Sequence, residues 1–237
     1  KLLNCEGSEI VFTGSGTEAD NMALRCATND LNVKHIITSE IEHKAVLDTA
    51  KELDAKGVAE VHFVDLDIYG RADLSSLENL ASEYPGALIS LMHANNELGT
   101  LNDIKAISKI ARANKCYFHT DTVQTVGHYT VDLQELDIDF LACSAHKFHG
   151  PKGCGFLYKN KKVHIKPLIT GGGQESKMRP GTENVTGIAG LAKALEIANR
   201  NIDVKIDTVY RIKEYFKTEI ERKIPGVCFN GDTSKEG

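Results

Sequence analysis

Short runs of apolar residues alternate along this chain with longer stretches whose apolar positions recur every three or four residues. Glu9 to Thr13, His35 to Thr38, Glu60 to Val64, Ala87 to Met92, Cys116 to His119 and Phe140 to Cys143 read as strands. Between them, Val46, Leu47, Ala50 and Leu53 mark one helical face and Ile104, Ile107, Ile110 and Ala111 another. This alternation predicts the α/β class: a mainly parallel sheet flanked by helices on both faces, because parallel neighbours require crossover connections. The run Gly153 to Tyr158 reads as one further strand, followed by a glycine-rich loop from Thr170 to Thr182. Val185, Ile188, Ala189, Ala192 and Leu195 then suit one helix, and Val209, Ile212, Phe216 and Ile220 suit a longer one that ends before Pro225. Asn199 to Asp203 reads as a domain junction, and a strand-like segment precedes Ser234. There is no internal repeat, low-complexity tract or heptad pattern.

Composition narrows the function. At 237 residues and 41% hydrophobic content the chain can bury a sizeable core. Its 28 basic and 33 acidic residues, net -5, are spread along the sequence and give no reason to expect nucleic acid or an anionic membrane surface. No apolar run approaches the roughly 20 residues of a membrane helix. Lys1 to Gly7 lacks the apolar core of a signal peptide, and Leu2-Leu3-Asn4-Cys5 lacks the preceding segment a lipidation site needs, so a cytoplasmic protein is expected. The six cysteines, at 5, 26, 116, 143, 154 and 228, show neither zinc-site spacing nor the density of a disulfide framework, which fits a reduced compartment. The start without methionine and the ending at Ser234-Lys235-Glu236-Gly237 suggest a piece of a longer polypeptide.

Three segments carry candidate chemistry. Phe12-Thr13 runs into Gly14-Ser15-Gly16-Thr17-Glu18, a strand meeting small residues and a helix start. Glycines admit a phosphate close to the backbone, and the unpaired amides of the first helical turn, with the Thr17 hydroxyl, supply donors. The same residues also fit an N-capped βα turn in which Glu18 favours the helix dipole. Neither a full dinucleotide fingerprint nor a P-loop is present. Asp121 sits just past a strand, where an acid can hold a pyridinium proton or cap a helix. Lys147, within Ser144-Ala145-His146-Lys147, follows an apolar strand, and a lysine there is either a surface residue or an amine for Schiff-base chemistry. An amine, an acid for a ring nitrogen and a phosphate cradle are the three parts that pyridoxal phosphate (PLP) requires. His43 and His93-Ala94-Asn95-Asn96 lie at further strand ends, suited to stacking on a planar ligand or to capping and turn formation.

Taken in order, Phe12 to Asn21, Glu42-His43-Lys44-Ala45-Val46, His93 to Glu97, His119 to Gln124, Ser144 to Lys147 and Arg179-Pro180-Gly181-Thr182 closely resemble the cysteine desulfurases of the class V aminotransferase group, over nearly the whole chain. The resemblance implies the large domain of PLP-dependent fold type I over residues 1–200, without the family's first segment, and the beginning of a smaller α+β domain over residues 201–237. It implies that Lys147 bears the Schiff base and takes the substrate's α-proton, that Asp121 pairs with the pyridine nitrogen, that His43 stacks on the ring, and that Asn96 and Gln124 bond the phenolic oxygen. Phosphate then falls to Gly16, Thr17, Ser144 and His146, and Thr182 reaches the phosphate of a partner subunit in a homodimer, with the loop Gly171 to Arg179 at that interface. L-cysteine is the implied substrate, alanine the product, and a sulfur acceptor or scaffold protein of iron-sulfur assembly the implied partner. The persulfide-forming thiol of such enzymes matches none of the six cysteines and lies outside the chain. Ala145 stands where many relatives have glycine, which requires a negative φ there.

Rival readings are a selenocysteine lyase, a cysteine sulfinate desulfinase or an aminotransferase of the same fold, a dinucleotide-dependent dehydrogenase, and an incompetent fragment acting as a scaffold. No metal is expected, since His119 and Asp121 lack an evident third ligand.

Overall fold

The computed structural model describes residues 2–234; Lys1 and residues 235–237 of the two termini lie outside the described residues. Seven strands form one sheet in the spatial order β1 (Ile10–Thr13), β7 (Gly155–Lys159), β6 (Phe140–Ser144), β5 (Tyr117–Asp121), β4 (Leu88–Ser90), β2 (His35–Thr38) and β3 (Glu60–Phe63). The run from β6 to β3 is parallel, as the alternating pattern requires. β7 is antiparallel to both β6 and β1, so the sheet is mixed. The connection from β6 to β7 spans only residues 145–154, shorter than the dozen or so residues that a parallel crossover takes.

Helices cover both faces. α1 (Gly16–Asp30) and α2 (Lys44–Ala55) pack on one face, where Ala19, Ala23, Leu24, Val46 and Ala50 meet Ile36, Leu88, Phe140, Ala142 and Leu157. α3 (Leu74–Glu83), α4 (Ile104–Ala113) and α5 (Val185–Asn199) cover the other, where Leu77, Ile107 and Leu191 belong to a cluster with Ile37, Ile89, Phe118, Leu141 and Phe156. Adjacent residues Ile36 and Ile37, or Leu141 and Ala142, therefore enter different cores. That is why these strands are continuously apolar rather than alternating.

Two features depart from the sequence pattern. The strand expected over Ala87 to Met92 pairs regularly only at Leu88–Ser90, because the Met92 amide donates to the buried Glu42 carboxylate instead of to a neighbouring strand. The strand-like segment before Ser234 is not a strand. Among the described residues it pairs with no strand, and its end is tied by an Arg71–Asp232 ion pair and by Lys217 donating to the Thr233 carbonyl.

After α5 the chain turns through Asn201, at a left-handed φ of 55°, into α6 (Ile202–Lys223). This helix buries no residue fully, and Val204, Val209, Ile212, Tyr215 and Phe216 of its apolar stripe are exposed.

Candidate active site

The carboxyl ends of β1, β5 and β6 open on one cavity of about 230 Å³, lined by Gly16, Thr17, Asp20, His43, Met92, Asn96, Asp121, Val123, Gln124, Ser144, His146 and Lys147. Such an edge is where open α/β sheets gather ligands.

Two local devices fix the anion loop at the start of α1. Ser15 is the N-cap and its Oγ accepts from the Glu18 amide at 3.1 Å, while Glu18 Oε2 accepts from the Gly14 amide at 2.8 Å. The capped turn and the anion site are therefore the same object, with Gly16 and Thr17 left on the cavity wall. Gly16 is needed for close approach, since a Cβ there would lie 2.6 Å from Val123 Cγ2. Across the cavity Ser144 Oγ and His146 Nδ1 share a 2.9 Å hydrogen bond.

Lys147 lies in the 3-10 turn Ala145–Phe148 that follows β6. Its side chain is exposed and finds no hydrogen-bond or ion-pair partner among the described residues. The turn accommodates Ala145 at negative φ, as the alanine demands. His43 caps α2, and its Nδ1 accepts from the Ala45 amide at 3.1 Å, so in the neutral ring Nε2 carries the proton. Capping and ring presentation thus coincide. The asparagine pair divides its roles. Buried Asn95 builds the turn, donating to the Ile41 carbonyl and accepting from the Glu97 and Leu98 amides, whereas exposed Asn96 lines the cavity.

In the cavity wall and behind it lies a group of buried ionisable side chains. Asp121 closes β5 and accepts from the Val123 amide at 2.8 Å through Oδ1. Burial, and secondarily the nearby Asp20, push its carboxyl up to about 7. Burial pushes Asp20 up to about 8, and its Oδ1 faces His119 Nε2 at 3.4 Å, with neither atom completing a hydrogen bond. Glu42 is pushed up to about 8 by burial, against the opposing hydrogen bonds from Met92 and Ser39. His119 and His93 are pushed down to about 4 by burial, and their Nδ1 atoms bond Ser90 and Thr125. Three acids crowd a space with no buried cation, which is the environment a protonated ring nitrogen at Asp121 would relieve.

Of the residues given cofactor roles, all but Thr182 line this cavity; His93, suited by sequence to stacking on a ligand, does not, its ring instead bonding Thr125. Thr182 is exposed in a separate depression with Thr13, Gly14 and Arg179, whose guanidinium is paired with Glu18 at 2.8 Å. Asp20 and Glu42 escaped sequence reasoning as site residues. The available signal was an acid on the otherwise apolar stripe Ala19, Ala23 and Ala27 of α1. His119, considered as a metal ligand, is instead buried against Ser90 and Asp20. Cys154, just before β7, is buried and burial raises its thiol. No cysteine lines the cavity.

The family model for aminotransferase class V matches residues 1–236. The chain belongs to the class V aminotransferase family. Among class V relatives, it is 46% identical over 236 residues to a cysteine desulfurase IscS of Dictyoglomus turgidum, an alignment covering 99% of this chain and 59% of that protein. It is 47% identical over 231 residues to a cysteine desulfurase IscS of Methanosarcina thermophila, covering 97% of this chain and 56% of the other. A solved NifS-like protein, 40% identical, superposes with a TM-score of 0.89 over 93% of this chain and 61% of its own. The chain thus spans less than two thirds of the length of these class V relatives.

Proposed function

We propose that this chain is the cofactor-binding part of a PLP-dependent cysteine desulfurase. The observation that carries the reading is the meeting, in one cavity, of a free amine at Lys147, a buried acid at Asp121, a flat ring at His43 and a donor cradle at Gly16, Thr17, Ser144 and His146. These residues fit the cofactor. The crowded Gly16 gives backbone access to a phosphate, and the raised Asp121 carboxyl lacks only a cation.

When bound, PLP supplies an electron-accepting ring that stabilises charge left at the substrate α-carbon. The protein's part is positioning and proton transfer. Lys147 Nζ would hold the cofactor and, as a free amine, would take the substrate's α-proton. Asp121 holds the ring-nitrogen proton, made more effective by its dry surroundings. His43, braced by the Ala45 amide, presents a ring to the cavity, and Asn96 and Gln124, also on its lining, would bond the phenolic oxygen. A thiol outside this chain would accept sulfur, since none of the six cysteines lines the cavity and burial raises the Cys26 and Cys143 thiols, Cys26 to about 12.

The division into residues 1–200 and 201–237, a homodimer, delivery of sulfur for iron-sulfur assembly and a cytoplasmic setting belong to the same proposal. The exposed Thr182, outside its own cavity, supports service to a second copy, and six free cysteines support a reducing compartment. The test is product analysis with the full reading frame that encodes this chain. With dithiothreitol supplied as the two-electron reductant that releases persulfide sulfur, L-cysteine should yield alanine and sulfide in equal amounts, and Lys147→Ala should yield neither. Turnover confined to selenocysteine or cysteine sulfinate would replace the desulfurase reading by one of its relatives.

A further inference from the structure

At the opposite edge of the sheet from the cavity, His35 opens β2 and Glu60 opens β3, paired in register, and His62 follows two residues along β3 on the same face. His35 Nδ1 lies 3.1 Å from His62 Nε2 and 3.7 Å from Glu60 Oε2, and one ligand atom from each of the three falls within 4.8 Å of the others. Two ligands about 2.0–2.1 Å from a tetrahedral zinc ion stand roughly 3.3 Å apart. The observed separations bracket that value, so small side-chain shifts would bring all three onto one ion.

We propose that His35, Glu60 and His62 form a binding site for a divalent transition-metal ion, with zinc as the best fit, joining the first turns of β2 and β3. Imidazole with carboxylate is a donor set that selects zinc, copper, nickel or iron over magnesium and calcium. The imidazoles are held from behind by Tyr84 at the end of α3, whose ring stacks on His62 at 3.9 Å between centroids and lies 4.5 Å from His35. The His35 side chain is 32% and the Glu60 side chain 65% exposed, which leaves an open coordination position for water. Sequence spacing concealed the group, because its members come from two strands brought into register by the intervening α2 crossover. Bound metal would clamp the outermost strand, which otherwise pairs only with β2, and would stabilise the fold in proportion to ion concentration.

The test is titration of chelator-treated protein with Co²⁺ alone, read by the visible absorption of tetrahedral cobalt, followed by competition with Zn²⁺. A single saturable site with intense tetrahedral bands is expected. His35→Ala and His62→Ala should weaken it by at least about 100-fold and Glu60→Gln by about tenfold, as losses of ligands do. His62→Phe keeps a ring against Tyr84 should the alanine variant not fold, and should be equally defective. A thermal midpoint raised by Zn²⁺ in the wild type, and raised less at the same Zn²⁺ concentration in Glu60→Gln, gives a second readout. Absence of tetrahedral bands, or equal affinity in wild type and variants, overturns the proposal and leaves an ordinary hydrogen bond between two histidines. The outcome does not depend on whether PLP binds.

Discussion

Protonation of the three buried acids in and behind the cavity wall makes the stability of the cofactor-free protein fall as pH rises. Asp20 and Glu42 are raised to about 8 and Asp121 to about 7 in the native state, against about 4 when unfolded. Between those limits the native protein holds protons that the unfolded chain has released, so each group lowers the unfolding free energy by up to about 1.4 kcal/mol per pH unit. His93 and His119, lowered to about 4 by burial, act the other way, because the unfolded histidines bind protons below about pH 6.5. From about pH 4 to 6.5 the two histidines offset two acids, leaving a decline of about 1.4 kcal/mol per unit. Above about pH 6.5 that offset ends and the decline steepens to about 4 kcal/mol per unit, easing once Asp121 ionises near 7 and ending once Asp20 and Glu42 ionise near 8. The loss over this window is on the order of 5 kcal/mol at full linkage, a large part of the ~5–15 kcal/mol that a domain possesses. Urea unfolding followed by circular dichroism at half-unit steps of pH measures it directly. Asp20→Asn removes one titrating group and the like charge beside Asp121, so the slope near neutrality should drop by about 1.4 kcal/mol per unit. A flat or rising stability from about pH 6.5 to 8, or an unchanged slope in Asp20→Asn, refutes the reasoning.

Two further outcomes follow from burial and hydrogen bonding. In the native protein a maleimide should label the exposed Cys228 first and Cys5 slowly, while Cys26, Cys116, Cys143 and Cys154 react only after unfolding; rapid native labelling of Cys143 or Cys154 contradicts the packing described. Asn95→Ala should cost about 1–2 kcal/mol by removing a buried side chain that bonds three part-buried backbone groups, whereas Asn96→Ala should cost under about 0.5 kcal/mol and alter only the absorbance of bound cofactor; equal destabilisation would show that the two roles are not divided.

Much of this architecture was legible because doubly buried strands advertise themselves. His35 to Thr38 was read with its ends correct, and the α2 and α4 faces followed from apolar spacing. Strand direction is not encoded in apolar character: Gly155–Lys159 looks like any buried strand, and only the brevity of the preceding connection betrays that it runs backwards. The tail over residues 224–234 shows the converse. Val227 and Phe229 have strand-forming side chains, but a strand needs an edge to pair with, and that is a property of the assembled fold. At the site, residues on loops after strands were readable because the sheet gathers strand ends together. Asp20 and Glu42 were not, because what makes them matter is the depth of their burial. Thr182 shows the limit of transferring a role by motif: it lies outside the cavity, in a depression beside the Arg179–Glu18 pair.

The central claim is tested most directly by reducing the PLP-incubated protein with borohydride and locating the adduct by peptide mass spectrometry. The account predicts a phosphopyridoxyl group on Lys147, absent from Lys147→Ala. Correctly folded protein that acquires no adduct at Lys147, or carries it on another lysine, would contradict the assignment of this cavity to PLP.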